Sequence, residues 1–382
     1  MMKSIKLEKS CLNMIMYFPV ILLFFQVFNF YFNFNIAKIY ELIILFLLIL
    51  LEKKMSNKIS TLYIIIITLL YIILKYGYND FNMSYKFIYA LIILSFFTNN
   101  NILRNFKEIL DLNLNRLNKI VYLNNFIIIL FLFNKRAYFN KWGEGMYFKG
   151  PFDSPHQFGY CLLALLCVCT YNYLKTNNYK AIINIFVIIC FISLTGARSV
   201  FLTSGLISLI PLFHFIKLKR RNIFIFVIIS IFLVLVGGEF IINTPVVEKM
   251  IYTVTTESTN VTSGRDIIMK NNIDAYKRSS LLNKITGGGM GITNNINYNT
   301  IGNDIWAHND LIQILLGYGI VGIFIYLLIL LKLIIKNRSI LLCVILFTVI
   351  LVNGYFNYNY FVIAIPYLLL ICNKNCQYKF IF

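Results

Sequence analysis

The stretch that decides the fold is residues 309–335, Asn-Asp-Leu-Ile-Gln-Ile-Leu-Leu-Gly-Tyr-Gly-Ile-Val-Gly-Ile-Phe-Ile-Tyr-Leu-Leu-Ile-Leu-Leu-Lys-Leu-Ile-Ile. A helix needs roughly 20 apolar residues to cross a hydrocarbon core about 30 Å thick, and this run supplies more. Similar apolar stretches bounded by polar clusters lie near 15–34, 36–51, 59–76, 84–98, 120–133, 156–174, 181–195, 198–216, 223–242, 339–352 and 356–372. The composition agrees. The 382 residues are 59% hydrophobic and 13% charged, against about 25% charged in an ordinary soluble domain. A water-soluble globule of this size is excluded. The expectation is an all-α polytopic membrane protein, with about 12 transmembrane helices at the length a bilayer sets and one membrane domain over 1–382. The first run is longer than a signal peptide's apolar region, and no small-residue cleavage site follows it, so it is read as an uncleaved first span.

Lysine and arginine outnumber aspartate and glutamate by 35 to 15, a net charge of +20. In a soluble chain that excess would point to nucleic acid; here the cations have first to be sorted by side. With a cytoplasmic N-terminus, Lys3, Lys6, Lys9, Lys53, Lys54, Lys58, Arg104, Lys107, Arg116, Lys119, Lys217, Lys219, Arg220 and Arg221 all fall inside. The positive-inside rule then puts both termini in the cytoplasm and the longest polar loop outside. No nucleic-acid partner is expected. The eight cysteines, among them Cys167 and Cys169 on one span, lie in or beside apolar runs, which suits packing better than disulfides or a zinc site.

Two outer segments break the apolar monotony. The loop 134–156 runs from Asn134-Lys135-Arg136 through Lys141-Trp142-Gly143 to Gly150-Pro151-Phe152-Asp153-Ser154-Pro155-His156. The loop 243–308 opens polar and then presents Arg265 to Leu282 as a surface helix, with Ile267, Ile268, Ile273, Tyr276 and Leu281 partly on one face. It continues through the turn Gly287-Gly288-Gly289-Met290-Gly291 and re-enters the membrane at His308.

Three histidines occur, His156, His214 and His308. His308 immediately precedes a span, where the helix dipole disfavours the imidazolium and leaves a neutral, base-competent ring; an interfacial histidine without a role is the alternative. Arg198, after Thr195-Gly196-Ala197 and between two apolar runs, sits at a depth where arginine is costly and marks function or a partner charge, unless it snorkels to lipid phosphate. Arg265, in Ser263-Gly264-Arg265-Asp266, is a second outer cation or one half of a surface pair. Arginine forks bind phosphate oxygens two at a time, so two outer arginines and a histidine suit a pyrophosphate leaving group on a lipid-linked donor. The glycine turn lacks the Lys-Ser/Thr of a phosphate loop, and no Asp-x-Asp, His-Glu-x-x-His or Gly-x-Ser-x-Gly occurs. Metal-independent chemistry without a cofactor fits that pattern. Glu41, just inside the second span, is either a structural carboxylate or a proton relay of the kind a flippase or other secondary transporter would use.

The order of Thr195-Gly196-Ala197-Arg198-Ser199, Arg265, Gly287–Gly291, His308-Asn309-Asp310-Leu311 and Gly317-Tyr318-Gly319-Ile320-Val321-Gly322 resembles the O-antigen ligase and polymerase superfamily of bacterial polysaccharide assembly. Gly150-Pro151-Phe152-Asp153-Ser154-Pro155-His156 is similar to that family's Gly-x-Phe-x-x-Pro-Asn stretch, with His156 where asparagine is usual. The resemblance implies a glycosyltransferase in the plasma membrane that moves a glycan from undecaprenyl pyrophosphate to an acceptor hydroxyl on the outer side. It assigns Arg198 and Arg265 to the pyrophosphate and His308 to the attacking hydroxyl. Arg136, Lys141, Trp142, His156, Arg278, Trp306, Asn309 and Asp310 are the further substrate-binding candidates. The leading expectation is a repeat-unit polymerase for O-antigen, capsule or exopolysaccharide, with a ligase acting on lipid A core or protein as the near alternative. Membrane lipid, a chain-length regulator and the flippase of the same pathway are its expected partners.

Overall fold

Apolar segments with nothing but their own backbone to bond close their N–H and C=O groups internally, and the described residues are helical almost throughout. The computed structural model describes residues 2–55, 80–140, 146–218, 244–248, 265–352, 354 and 359–373. The described helices are α1 (Met2–Phe32), α2 (Ile36–Met55), α3 (Phe81–Phe96), α4 (Asn100–Leu132), α5 (Pro155–Thr176), α6 (Tyr179–Leu194), α7 (Arg198–Leu218), α8 (Arg265–Arg278), α9 (Leu281–Thr286), α10 (Ile292–Ile301), α11 (Asp310–Asn337), α12 (Ile340–Val352) and α13 (Ile365–Cys372). A two-stranded antiparallel ribbon, β1 (Tyr138–Asn140) with β2 (Met146–Phe148), pairs Phe139 with Tyr147.

Side-chain caps set many of the starts. Asp80 accepts from the Asn82 and Met83 amides at α3, Ser154 from Gln157 at α5, and Asn178 from Lys180 at α6. Each supplies an acceptor that the first helical turn lacks.

Four described helices are long and apolar enough to cross a membrane, Leu7–Phe32, Pro155–Thr176, Arg198–Ile216 and Asp310–Asn337. The pair Asn82–Phe96 and Asn100–Leu132, bent by 90°, makes a fifth if it is one span. The chain is a multi-pass membrane protein, and the count of twelve is not reached among the described residues. Two of the expected spans, 59–76 and 223–242, lie outside those residues. Others are helices of 16, 13 and 8 residues, below the length of a full crossing.

The polar stretch between the expected spans 84–98 and 120–133, whose cations were placed inside, is instead, from Asn100 on, the first part of α4. Leu103, Phe106, Leu110, Leu114, Leu117 and Val121 are buried at spacings of three and four, a helical stripe that a search for continuous apolar runs passes over.

The chain divides into two compact units, each assembled from separated stretches. One comprises Met1–Cys11, Ile43–Asn105 and Glu257–Val362; the other comprises Leu12–Leu42, Phe106–Thr256 and Ile363–Phe382. In the second unit α5 is buried from Phe158 to Tyr173 and packs on α6, α7 and α13. A ladder of amides ties the neighbours of α4 to it: Asn113 accepts from the Tyr17 hydroxyl at 3.0 Å, Asn118 from Asn172 at 2.6 Å, and Asn124 donates to the Val20 carbonyl at 2.7 Å. Asn125 donates to Asn184 at 2.9 Å. Interhelical bonds of this kind satisfy groups that lipid cannot. Glu41 is buried in α2.

In the first unit α11 is the central element, in contact with α3, α8, α9, α10 and α12. The expected span 309–335 is not one straight rod. Gly319 has φ 66° and ψ −163°, outside helical geometry, so 310–318 and 320–337 are two arms. Only the second arm, about 27 Å at 1.5 Å per residue, has the length of a crossing.

Candidate functional site

Helix α8 is described from Arg265 and ends at Arg278, short of the expected Leu282. Leu281 and Leu282 belong to the separate helix α9, which Ser280 caps through the Asn283 amide. Behind α9 the glycine turn packs backbone to backbone against the break in α11. A Cβ at Gly287 would overlap the Gly317 carbonyl, and one at Gly319 would overlap the Ile285 carbonyl. Both glycines have positive φ, 78° and 66°, which no branched side chain adopts without strain. The Gly288 amide donates to the Leu316 carbonyl at 2.7 Å and the Gly289 amide to the Gly317 carbonyl at 3.0 Å. Those carbonyls end the first arm of α11 and would otherwise lack partners. The Gly287 amide donates to the Asn283 carbonyl, so the first three amides of the turn are spent on protein and close the gap between α9 and α11.

The segment 305–309 carries His308 from this turn region into α11. Asn297 of α10 donates to the Ile305 carbonyl at 2.6 Å and accepts from Asn272 of α8 at 3.0 Å. Ala307 packs with Ile312 and Leu316, with Ile273, Tyr276, Ile292 and Ile296 around them. Asn309 caps α11, accepting from the Leu311 and Ile312 amides, and donates to the Leu351 carbonyl at 3.2 Å. Next to it Asp310 is fully buried, receives the Tyr326 hydroxyl at 3.3 Å, and stands where a Cβ at Gly354 would be. These two candidates hold the frame of the site.

His308 itself has φ 53°, an uncommon conformation for a residue with a side chain and one that points to function where the surroundings enforce it. Its ring lies 4.8 Å from that of Trp306 at 44°. Trp306 is 7% exposed, so the indole mainly supports the imidazole. Burial, and then the charge of Arg265, push the His308 pKa from 6.5 down to about 4. The ring is neutral at pH 7, as the sequence led one to expect, but desolvation and a nearby guanidinium are the causes. Its Nδ1 is buried with no hydrogen-bond partner among the described residues.

The structure thus gathers Arg265, Trp306, His308, Asn309 and Asp310 in the first unit. Arg278 closes α8 at the end opposite Arg265, about 20 Å away at 1.5 Å per residue, and is exposed. Arg136, His156 and Arg198 belong to the second unit. There Arg198 opens α7 after a turn at Gly196, where a Cβ would overlap the ring of Tyr147 from β2. His156 is the second residue of α5, and Arg136 is exposed in a 3-10 turn, Lys135–Ala137. Lys141 and Trp142 lie outside the described residues.

One residue of the site went unnoticed in the sequence. Gln313 is fully buried and bonds through both amide atoms: Oε1 accepts from the Thr293 hydroxyl at 2.8 Å and the Ala307 amide at 3.1 Å, and Nε2 donates to the Met290 carbonyl at 2.7 Å. A glutamine amid apolar residues at the start of a span was the signal that could have found it.

No curated protein matches the chain. Residues 183–327 match the family described as O-antigen ligase, a stretch that contains Arg198, Arg265, both glycine segments and His308, and this match supports the resemblance to the O-antigen ligase and polymerase superfamily.

Proposed function

We propose that the chain is a polymerase that joins lipid-linked oligosaccharide repeats at the outer face of the bacterial plasma membrane, in a protein of about 12 spans with both termini cytoplasmic. The observation that carries this reading is the neutral His308 beside Arg265, ahead of a membrane helix. The acceptor hydroxyl gives its proton to the imidazole as its oxygen attacks the anomeric carbon. The bond from that carbon to the pyrophosphate oxygen breaks, and the electron pair leaves with undecaprenyl pyrophosphate. Arg265 neutralises the charge that develops there, its fork matching two phosphate oxygens. Arg198 is proposed, on the resemblance, as a second phosphate-binding arginine. The reaction takes no nucleotide sugar and no metal.

The description of the matched family favours a second reading, a ligase that hands the glycan to lipid A core or protein. Purified protein given only the lipid-linked repeat decides between them. A polymerase elongates it in the presence of a chelator and without ATP; a ligase leaves single repeats until the other acceptor is added. His308→Ala is expected to abolish either reaction, and full activity of a well-folded His308→Ala protein would remove the proposed site.

A further inference from the structure

Gln313 stands where three pieces of chain meet. Its carbonyl oxygen takes the amide of Ala307, the residue before His308, and the hydroxyl of Thr293 on α10. Its amide nitrogen reaches the Met290 carbonyl in the glycine turn. The turn is in turn bonded to the end of the same arm that carries Gln313. The backbone leading into His308 is thereby tied to the glycine turn and to α10 by one fully buried side chain. We propose that Gln313 is a positioning residue for His308: by holding the Ala307 amide on one atom and the Met290 carbonyl on the other, it sets where the imidazole sits.

The proposal rests on His308 as the general base of the transfer. Helix α8 is rich in charge, with Asp274 paired to Lys277 and Arg278 at its far end, but Arg265 is the charge that acts on His308. Arg265 comes from α8; Asp310, on α11, is engaged by Tyr326; α10 carries no charged residue, and its one titratable group, Tyr298, is exposed. Asp266, Lys270 and Asp304 are exposed. The seat of the imidazole relative to burial and Arg265 therefore governs its titration, and a loosened 305–308 segment moves the His308 pKa up toward its ordinary 6.5.

The test uses the full-length protein with isotopically labelled histidine; His156, His214 and His308 are the three signals, and His308→Asn identifies the one that matters. Gln313→Met keeps the volume and removes all three hydrogen bonds. The His308 titration is expected to rise from about 4, with elongation falling roughly tenfold or more, the scale of a small misplacement of a reacting group, and with KM for the lipid-linked repeat little changed. Thr293→Val takes one donor from Gln313 but leaves the Ala307 link, and the titration is expected to stay in place. A folded Gln313→Met protein whose His308 titrates as before, or a Thr293→Val protein that shifts equally, overturns the positioning role. Hydrogen exchange in the unsubstituted protein gives a check independent of any variant: the Ala307 amide is expected to be protected, and exchange at the rate of an open amide overturns the proposal. Because titration and exchange are read without turnover, they stand apart from the functional reading, which fails separately if His308→Ala leaves elongation intact.

Discussion

The Tyr326 hydroxyl meets the Asp310 carboxylate at 3.3 Å although both residues belong to α11, 16 positions apart. A straight helix would hold them about 24 Å apart. The contact exists because Gly319 breaks the helix and lets the second arm pass back along the first. Both residues are fully buried, so the pair closes a hairpin at the base of the segment that carries His308.

Tyr326→Phe removes that closure and takes a donor from a buried carboxylate. The expected loss is about 1–3 kcal/mol, read as a lower midpoint of unfolding in detergent. Asp310→Asn, which keeps an acceptor for the hydroxyl, is expected to lose less.

Gly319→Ala and Gly287→Ala put a Cβ into the Ile285 and Gly317 carbonyls at positive φ. Each is expected to cost at least about 2 kcal/mol or to prevent folding. Gly205→Ala is the contrast. It lies in the interior of α7 with nothing within 4 Å of a built Cβ, so the replacement is expected to be neutral or to stabilise by up to about 1 kcal/mol. Yields and unfolding midpoints of the three variants check the difference.

The pH dependence of stability follows from His308. Its folded-state pKa is about 4, below the ordinary 6.5, so between those values the unfolded chain binds the proton that the folded chain refuses. Its contribution is complete above pH 6.5 and is lost as the pH falls toward 4. Unfolding measured across that window in the unsubstituted protein and in His308→Asn is expected to show a shallower slope in the variant. On the same ground, the acid limb of elongation against pH is expected near 4 and not near 6.5.

Asn125 and Asn184 bond to each other between α4 and α6 at 2.9 Å. Replacing one by leucine strands the other, and the expected cost is about 0.6 kcal/mol, the average for interhelical bonds in membranes, and at most about 1.7 kcal/mol. Replacing both is expected to recover part of that, and a double-mutant cycle of unfolding midpoints reads the coupling.

Much of the site was legible because it consists of chemical exceptions. A histidine between a tryptophan and a helix start, and an arginine opening an amphipathic stretch, stand out against apolar sequence, and the structure brings Arg265 and His308 within electrostatic reach of each other. Gln313 stood out only as a polar residue at the start of a span; its partners, Thr293 among them, were not legible, since a lone amide among isoleucines and leucines says nothing about what it will meet. The polar start of α4 was missed for a related reason: its apolar residues are periodic and not contiguous.

By itself the sequence determined that the chain is helical and crosses a membrane, because transfer into hydrocarbon is a sum over local side chains and needs no partner. It also determined which residues are chemically unusual. Only the tertiary structure decided that 309–335 folds back on itself, that the two glycine segments lock together, and that the Gly288 and Gly289 amides are used on carbonyls of α11. Those outcomes depend on close approach between backbones some 30 residues apart, and burial by that packing, with the Arg265 charge, is what makes His308 a neutral base.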